Sequence, residues 1–300
     1  MNPLQLLAPA KVNLHLRVLA RESSGYHQLE TLFAMLELAD AVAVELTPGE
    51  SSVTLQEEGA SPCPPQENLA FRAALAFRRH TGISEGVRIR LRKVLPTGGG
   101  LGGGSSDAAA VLRLMNRVFN DPLPRWELAE LGGELGSDVP FFLSPSSLAL
   151  AWGRGNRILP LRSLPPAPVL LALPPLAVST PKAFQALTLQ REGVNPTGAT
   201  LLERSFPGGW DGVARRAVND LEPPVLQGNP ELAPILEALR RTQPRLALLA
   251  GSGSSLFGIY RSDTQAGEVA QSMEERFPEV RWVLTRTLDR PPEIQEAPPV

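Results

Sequence analysis

Pro96-Thr97-Gly98-Gly99-Gly100-Leu101-Gly102-Gly103-Gly104-Ser105-Ser106-Asp107 holds six of the 26 glycines in a chain of 300 residues. Glycine loses more conformational entropy on folding than any other residue, so six together need a reason. One reason is a backbone that approaches a ligand closely and turns its N–H groups toward it. The stretch that follows, Asp107-Ala108-Ala109-Ala110-Val111-Leu112-Arg113-Leu114-Met115, reads as a helix, with Ser105 or Ser106 available to cap it. A glycine loop feeding a helix N-terminus is an anion site, because unpaired N–H groups and the positive end of the dipole both favour phosphate. A flexible linker is the plainer alternative, but a linker is not framed by a strand and a helix.

Two common phosphate loops do not fit. The P-loop, G-x-x-x-x-G-K-[ST], has its spacing in Gly98 to Gly103, but Gly104 stands where the lysine belongs. The Rossmann fingerprint is met by Gly98, Gly100 and Gly103, yet its context fails. Val87-Arg88-Ile89-Arg90-Leu91-Arg92 alternates apolar and charged residues, which suits a sheet with one solvated face rather than a buried parallel strand. About 20 residues on, where the fingerprint needs a strand-ending acid, Asp121 lies in the loop Asn120-Asp121-Pro122.

Three hundred residues can bury two cores. A net charge of −2 points away from nucleic acid and anionic membranes as partners, and no apolar run approaches the 18 or so residues of a membrane span. Cys63 is the only cysteine, which excludes an internal disulfide and a cysteine-based metal site and suits a reducing cytoplasm. The N-terminus lacks the basic and apolar regions of a secretion signal. Of 29 basic residues only Lys11, Lys93 and Lys182 are lysines. A lysine kept against that background is either required for its compact ammonium or a chance survivor of codon bias.

Residues 9–18 alternate strictly, so Lys11 and Asn13 share one face of a strand, roughly 7 Å apart. That face is either the solvated side of an edge strand or a reactive one. Tyr26 and His27 follow a glycine turn, where they serve as turn residues or as ligand contacts. Residues 29–36 and 41–46 read as strands and 51–65 as a polar loop. Asn68 opens an amphipathic helix over 69–77 that it can cap. A helix at 126–131 ends at Gly132-Gly133. Asp138 then stands among Leu135-Gly136-Ser137 and Val139-Pro140-Phe141-Phe142, where it either caps a turn or is functional. A hairpin over 148–161 precedes the stiff connector Pro165-Pro166-Ala167-Pro168, and a buried strand runs over 169–173. Pro181 opens a helix carrying Phe184, a core residue or a ligand contact, and residues 188–209 read as a mobile loop. A strand at 246–250, the turn Gly251-Ser252-Gly253-Ser254-Ser255, a helix over 264–276 and a strand over 281–287 complete an α+β pattern. The turn is not G-x-S-x-G, so a hydrolase elbow is not supported. The Pro- and acid-rich tail 291–300 reads as disordered.

The glycine stretch resembles the nucleotide loop of the GHMP kinases, and four further segments resemble that family in the same order. They are Pro9-Ala10-Lys11-Val12-Asn13-Leu14, Gly25-Tyr26-His27 (with Ser24 where the family has Asp), Leu135-Gly136-Ser137-Asp138-Val139-Pro140-Phe141-Phe142 and Gly251-Ser252-Gly253-Ser254. The Thr180-Pro181-Lys182-Ala183-Phe184 segment matches as well. The resemblance implies a two-domain fold, a ribosomal-protein-S5-like domain over 1–164 and a ferredoxin-like domain over 165–290, with the substrate between them. It implies an ATP- and Mg²⁺-dependent cytoplasmic kinase, monomer or weak homodimer, acting on a small-molecule alcohol. The long glycine form is most like the branch whose substrate is cytidine diphosphate methylerythritol, in the non-mevalonate isoprenoid pathway.

On that resemblance Asp138 is the general base and Lys11 stabilises negative charge beside it. Asn13 orients the alcohol, Tyr26 and Phe184 sandwich the cytosine, His27 reads its edge, and Thr180 belongs to the same subsite. Pro96, Gly98, Gly99, Gly100, Leu101, Gly102, Gly103, Gly104, Ser105 and Ser106 cradle the phosphates, Asn68 lies near the adenine and Lys93 near the nucleotide, and Ser105 is the candidate Mg²⁺ contact. Asn219-Asp220-Leu221-Glu222 matches a segment with a structural role. A homoserine- or mevalonate-type kinase and a non-catalytic nucleotide-binding protein are the rival readings.

Overall fold

A computed structural model of the chain describes residues 3–21, 27–59, 63–191, 201 and 208–297. Tyr26 and most of the 188–209 stretch lie outside them. The first half runs β1 (Leu4–Arg21), β2 (His27–Thr47), β3 (Val53–Glu58), α1 (Leu69–Thr81), β4 (Gly86–Arg92), α2 (Gly103–Val118), α3 (Arg125–Leu135), α4 (Val139–Phe142), β5 (Leu148–Gly153) and β6 (Arg157–Pro160). The second runs β7 (Pro168–Leu173), α5 (Thr180–Gln190), α6 (Gly209–Ala214), α7 (Glu222–Gly228), α8 (Leu232–Arg241), β8 (Leu246–Leu249), β9 (Leu256–Ile259), α9 (Asp263–Arg276), β10 (Arg281–Arg286) and β11 (Gln295–Glu296).

The first sheet has the order β11-β1-β2-β4-β3, with β5 on β2 and β6 on β5; the second has the order β10-β7-β9-β8. The two segments expected at 29–36 and 41–46 are one strand. β2 is 21 residues long and changes neighbour halfway, pairing β5 through Leu29–Ala34 and β4 through Ala41–Thr47. The expected loop at 51–65 contains β3, which lies parallel to β4 and needs α1 as its crossover. α3 runs on through Gly132 and Gly133, where an added Cβ on Gly132 would meet Leu143 and Val139 at 2.8 and 2.9 Å. Close helix packing, and not a helix stop, accounts for that glycine. The tail is ordered as far as 297: Arg113 donates to Pro292 O, Gln295 and Glu296 pair with β1, and Ala297 N–H donates to Pro3 O. Pro291 and Pro292 precede β11 and so remove no donor from its pairing with β1. Residues 188–190 are the last turn of α5.

Local chemistry sets the helices. Asn68 caps α1 by accepting Ala70 N–H at 2.9 Å, and Gly82, at φ +73°, closes it in the left-handed conformation. α2 starts two residues before the expected serine cap. Its N-cap is Gly102, and Ser105 and Ser106 already lie in the first turn. The core has three layers. One packs α1–α4 on the first sheet, and another packs α5 and α7–α9 on the second. The third lies between the sheets, with Val12 and Leu14 of β1 facing Val169 and Leu171 of β7. Leu170 and Ala172 point the other way, into the helix layer, so β7 is buried on both faces and reads as an unbroken apolar run.

Candidate active site

A cavity of about 1010 Å³, walled by β1, β2, the glycine loop, α5 and the turn after β8, brings together nearly every residue singled out above. Its floor is β1. Lys11 and Asn13 are 5% and 2% exposed, so the face is not solvated; β2 pairs with β1 here on one side, and on the other Lys11 N–H meets Leu101 O of the glycine loop. Lys11 Nζ donates to Asn13 Oδ1 at 2.9 Å and lies 3.4 Å from Asp138 Oδ2 and 5.3 Å from the centre of the Phe33 ring. Asn13 Nδ2 donates to Thr31 Oγ1 at 2.8 Å, and Thr31 Oγ1 donates to His15 O at 2.7 Å. With the Thr31 proton committed to a carbonyl, the Asn13 amide can point only one way, and its Oδ1 faces the ammonium. No motif singles out Thr31, which follows Glu30 in a largely apolar strand.

Asp138 precedes α4, but its side chain caps nothing, so the turn-cap alternative is not realised. Its carboxylate, with the side chain 31% exposed, faces the cavity and Lys11.

Opposite them runs the glycine loop. Leu101 O accepts from Lys11 N–H at 2.9 Å and Gly99 O from Ser255 N–H at 3.2 Å, so β1 and the turn after β8 hold the loop from two sides. Pro96, Leu101 and all six loop glycines line the cavity with Ser105. Ser106 does not: it is 1% exposed, its Oγ makes no hydrogen bond among the described residues, and it points into the core beneath the first turn of α2. Its side chain is removed from the expected cradle. Asn68 lines the far end of the cavity while capping α1, so both of its roles fit one position.

Lys93 lines the cavity but is spent on two carboxylates. Nζ donates to Asp40 and to Asp107 Oδ2, the latter at 2.7 Å, and Asp40 Oδ1 also accepts the N–H groups of Val94 and Leu95. Sequence gave no warning of Asp40, 53 residues away on β2. Burial pulls the Lys93 ammonium down, but the charges and hydrogen bonds of Asp107 and Asp40 outweigh it, and the net shift is upward. Burial pushes the Asp107 carboxyl up to about 7; Lys93 opposes this and the charge of Asp40 reinforces it. Since 3.8 is its ordinary value, the stability that protonated Asp107 contributes is complete below about pH 4 and is lost as pH rises through 7. Asp107→Asn is expected to remove that part of the slope, so that between pH 5 and 8 the wild-type melting temperature falls relative to the variant's. Parallel melting curves across that range would show Asp107 to be uncoupled.

At the other end, α5 carries Phe184 and Thr188 one turn apart on one face. The His27 ring stacks on Phe184, with centroids 5.1 Å apart and planes at 25°. That separation leaves no room for a base between them. Thr188 Oγ1 donates to Phe184 O, so the 2.9 Å contact with His27 Nε2 has the imidazole as donor. His27 is thus held by α5 on a face and an edge, where an edge reader of the base was expected. Thr180 Oγ1 lies 2.7 Å from Ser252 Oγ and ties α5 to the turn after β8.

Residues 68–145 match the GHMP kinases N terminal domain family and residues 201–279 the GHMP kinases C terminal family. A 4-diphosphocytidyl-2-C-methyl-D-erythritol kinase from Heliobacterium modesticaldum is 37% identical, with 96% of each chain covered. A solved 4-(cytidine 5'-diphospho)-2C-methyl-D-erythritol kinase superposes with a TM-score of 0.77 at 37% identity, over 94% of this chain and 98% of that one. A homoserine kinase from Cytophaga hutchinsonii reaches a TM-score of 0.73 at 17% identity over 98% of both chains, a likeness of fold alone. The chain belongs to the GHMP kinase family, in the branch of the 4-diphosphocytidyl-2-C-methyl-D-erythritol kinases. No helix among the described residues is long and apolar enough to cross a membrane.

Proposed function

We propose that the protein transfers the γ-phosphoryl group of ATP to the 2-hydroxyl of 4-diphosphocytidyl-2-C-methyl-D-erythritol, giving the 2-phosphate and ADP for isoprenoid precursor synthesis in the cytoplasm. The observation that carries this reading is the Lys11–Asp138 pair, which faces the glycine loop in a cavity that continues to Phe184 and His27. In it residues 1–164 and 165–290 are the two domains, with 291–297 added to the first sheet. All the residues invoked belong to one chain, so a monomer or weak homodimer suffices.

Phosphoryl transfer asks the protein mainly for positioning and charge stabilisation. The N–H groups of Gly98–Gly104 and of the first turn of α2 would hold the phosphates. Gly100 gives the fit test. A Cβ there would lie 2.0 Å from Ala250 O, so only a bare backbone lets the loop lie against the turn after β8 while lining the cavity. Among the described residues no three carboxylate, His or Cys side chains cluster as a metal site. Mg²⁺ suits such a place, since it binds substrate phosphates and few protein groups. Ser105 would be its side-chain contact, and the ion would supply charge neutralisation. Asp138 accepts the proton of the 2-hydroxyl as that oxygen bonds to phosphorus and the bond to the ADP oxygen breaks. Lys11, held by Asn13, stabilises the negative charge on the oxygens involved.

ADP release with ATP, Mg²⁺ and the cytidine substrate, run beside homoserine and mevalonate, tests the reading. Turnover with the cytidine compound alone is expected. Phe184→Ala should raise the KM for that substrate by about 10- to 100-fold, the scale of losing an aromatic platform for one base, with the ATP KM unchanged. Equal turnover with homoserine would sink the substrate assignment while keeping the kinase.

A further inference from the structure

Asn219 is buried behind the cavity and is not part of its wall. Its Nδ2 donates to Leu249 O at 2.9 Å and to Gly251 O at 2.7 Å, while its Oδ1 accepts Leu221 N–H at 2.9 Å. One side chain thus bridges the two carbonyls that open the turn after β8. The segment around it is also laid along β1. Leu16 N–H donates to Val218 O at 2.8 Å, Asp220 N–H to Leu16 O at 3.0 Å, and Val18 N–H to Asp220 Oδ2 at 2.9 Å. Glu222 Oε2 accepts Leu249 N–H at 3.1 Å. These bonds set the turn and β1 in register with each other.

Gly251 is where that register meets the chemistry. It has φ +57°, and a Cβ on it would lie 3.3 Å from Lys11 Nζ, 3.3 Å from Asn13 Oδ1 and 3.3 Å from Gly100 O. We infer that Asn219 is a positioning residue for phosphoryl transfer: by holding the Leu249 and Gly251 carbonyls together it seats the Gly251 turn against Lys11 and Asn13, and so fixes the ammonium relative to Asp138. The expected rate effect rests on the reaction proposed above; the placement of Lys11 does not. The second domain then supplies no reacting group of its own to the Lys11–Asp138 pair but sets its geometry. Without Asn219 two buried carbonyls lose a donor, and the turn has reason to shift.

With only three lysines, the chain suits NMR of selectively labelled lysine side chains, with Lys93 and Lys182 as internal references. In Asn219→Ala, and in the milder Asn219→Ser if alanine impairs folding, the Lys11 side-chain resonance is expected to move while the other two hold. Turnover by the folded enzyme should fall by about 10- to 100-fold, as it does for misplacements near 1 Å. The ATP KM should rise by less than kcat falls, because Leu101 O keeps the glycine loop on Lys11 N–H even where the turn beneath Gly99 and Gly100 shifts. Asn219→Asp should behave like alanine, since it keeps the acceptor for Leu221 N–H but sets an oxygen against both carbonyls. An unmoved Lys11 resonance and unchanged kcat, in variants that have lost only thermal stability, would overturn the proposal and leave Asn219 a residue of the fold. A Lys11 resonance that moves in a protein with no turnover of the cytidine substrate would uphold the positioning and discard the reaction.

Discussion

Asp138→Asn is expected to lower kcat by at least about 100-fold, the lower range for lost acid–base catalysis, with both KM values little changed. The amide fills the same space and can still accept a hydrogen bond, so the fold and the binding of both substrates have no reason to suffer. It cannot accept the proton of the attacking hydroxyl. The substitution also removes the only carboxylate among the described residues within ion-pair distance of Lys11, whose side chain is 6% exposed, leaving the ammonium to Asn13 and the face of Phe33. Lys11→Ala should cost as much. The double variant should lose little more than either alone, because the two groups act on the same oxygens as a unit. Steady-state ADP release measures all three proteins. Turnover within about threefold of wild type in Asp138→Asn would reassign the carboxylate to pairing Lys11.

Gly100→Ala is expected to raise the ATP KM by about 5- to 150-fold, the equivalent of the 1–3 kcal/mol that a strained non-glycine backbone costs. Gly100 sits at φ +77°, where an L side chain is strained whatever the space. Here there is no space either, since Ala250 O stands 2.0 Å from the added carbon. Both atoms belong to backbone, so no rotamer relieves the contact and the loop itself must move. Gly267→Ala, in α9 with nothing within 4 Å of its Cβ, is the control for an ordinary glycine substitution. An ATP KM that stays at the wild-type value in Gly100→Ala would mean that the phosphates are held elsewhere.

The site was legible where its residues follow one another. Alternation over 9–18 put Lys11 and Asn13 on one face, and glycine density marked the loop, because both signals are local in sequence. Burial of that face was not legible. It is covered by Gly251, some 240 residues on, and a strand pattern carries no information about what packs on it. Lys93 shows the same limit from the other side, for a lysine three residues before the loop is also within reach of Asp40. Polar composition hid β3, since an edge strand with no fully buried residue needs few apolar side chains. Prolines and acids made 291–297 read as disordered, although an edge strand tolerates both.

β11 joins β1 through Leu4–Glu296 and Gln5–Gln295, partners about 290 residues apart in the chain. During synthesis β1 and β2 emerge early, and the outer edge of β1 at Leu4 and Gln5 then waits for about the next 290 residues. At ordinary translation speeds that is on the order of 15 to 60 s. Throughout it the nascent chain carries an open strand edge that another chain could pair with. A product cut short before residue 290 would keep the helices of both halves and the residues of the cavity while leaving that edge bare. Aggregation of a product truncated before residue 290 is the expected sign of that bare edge.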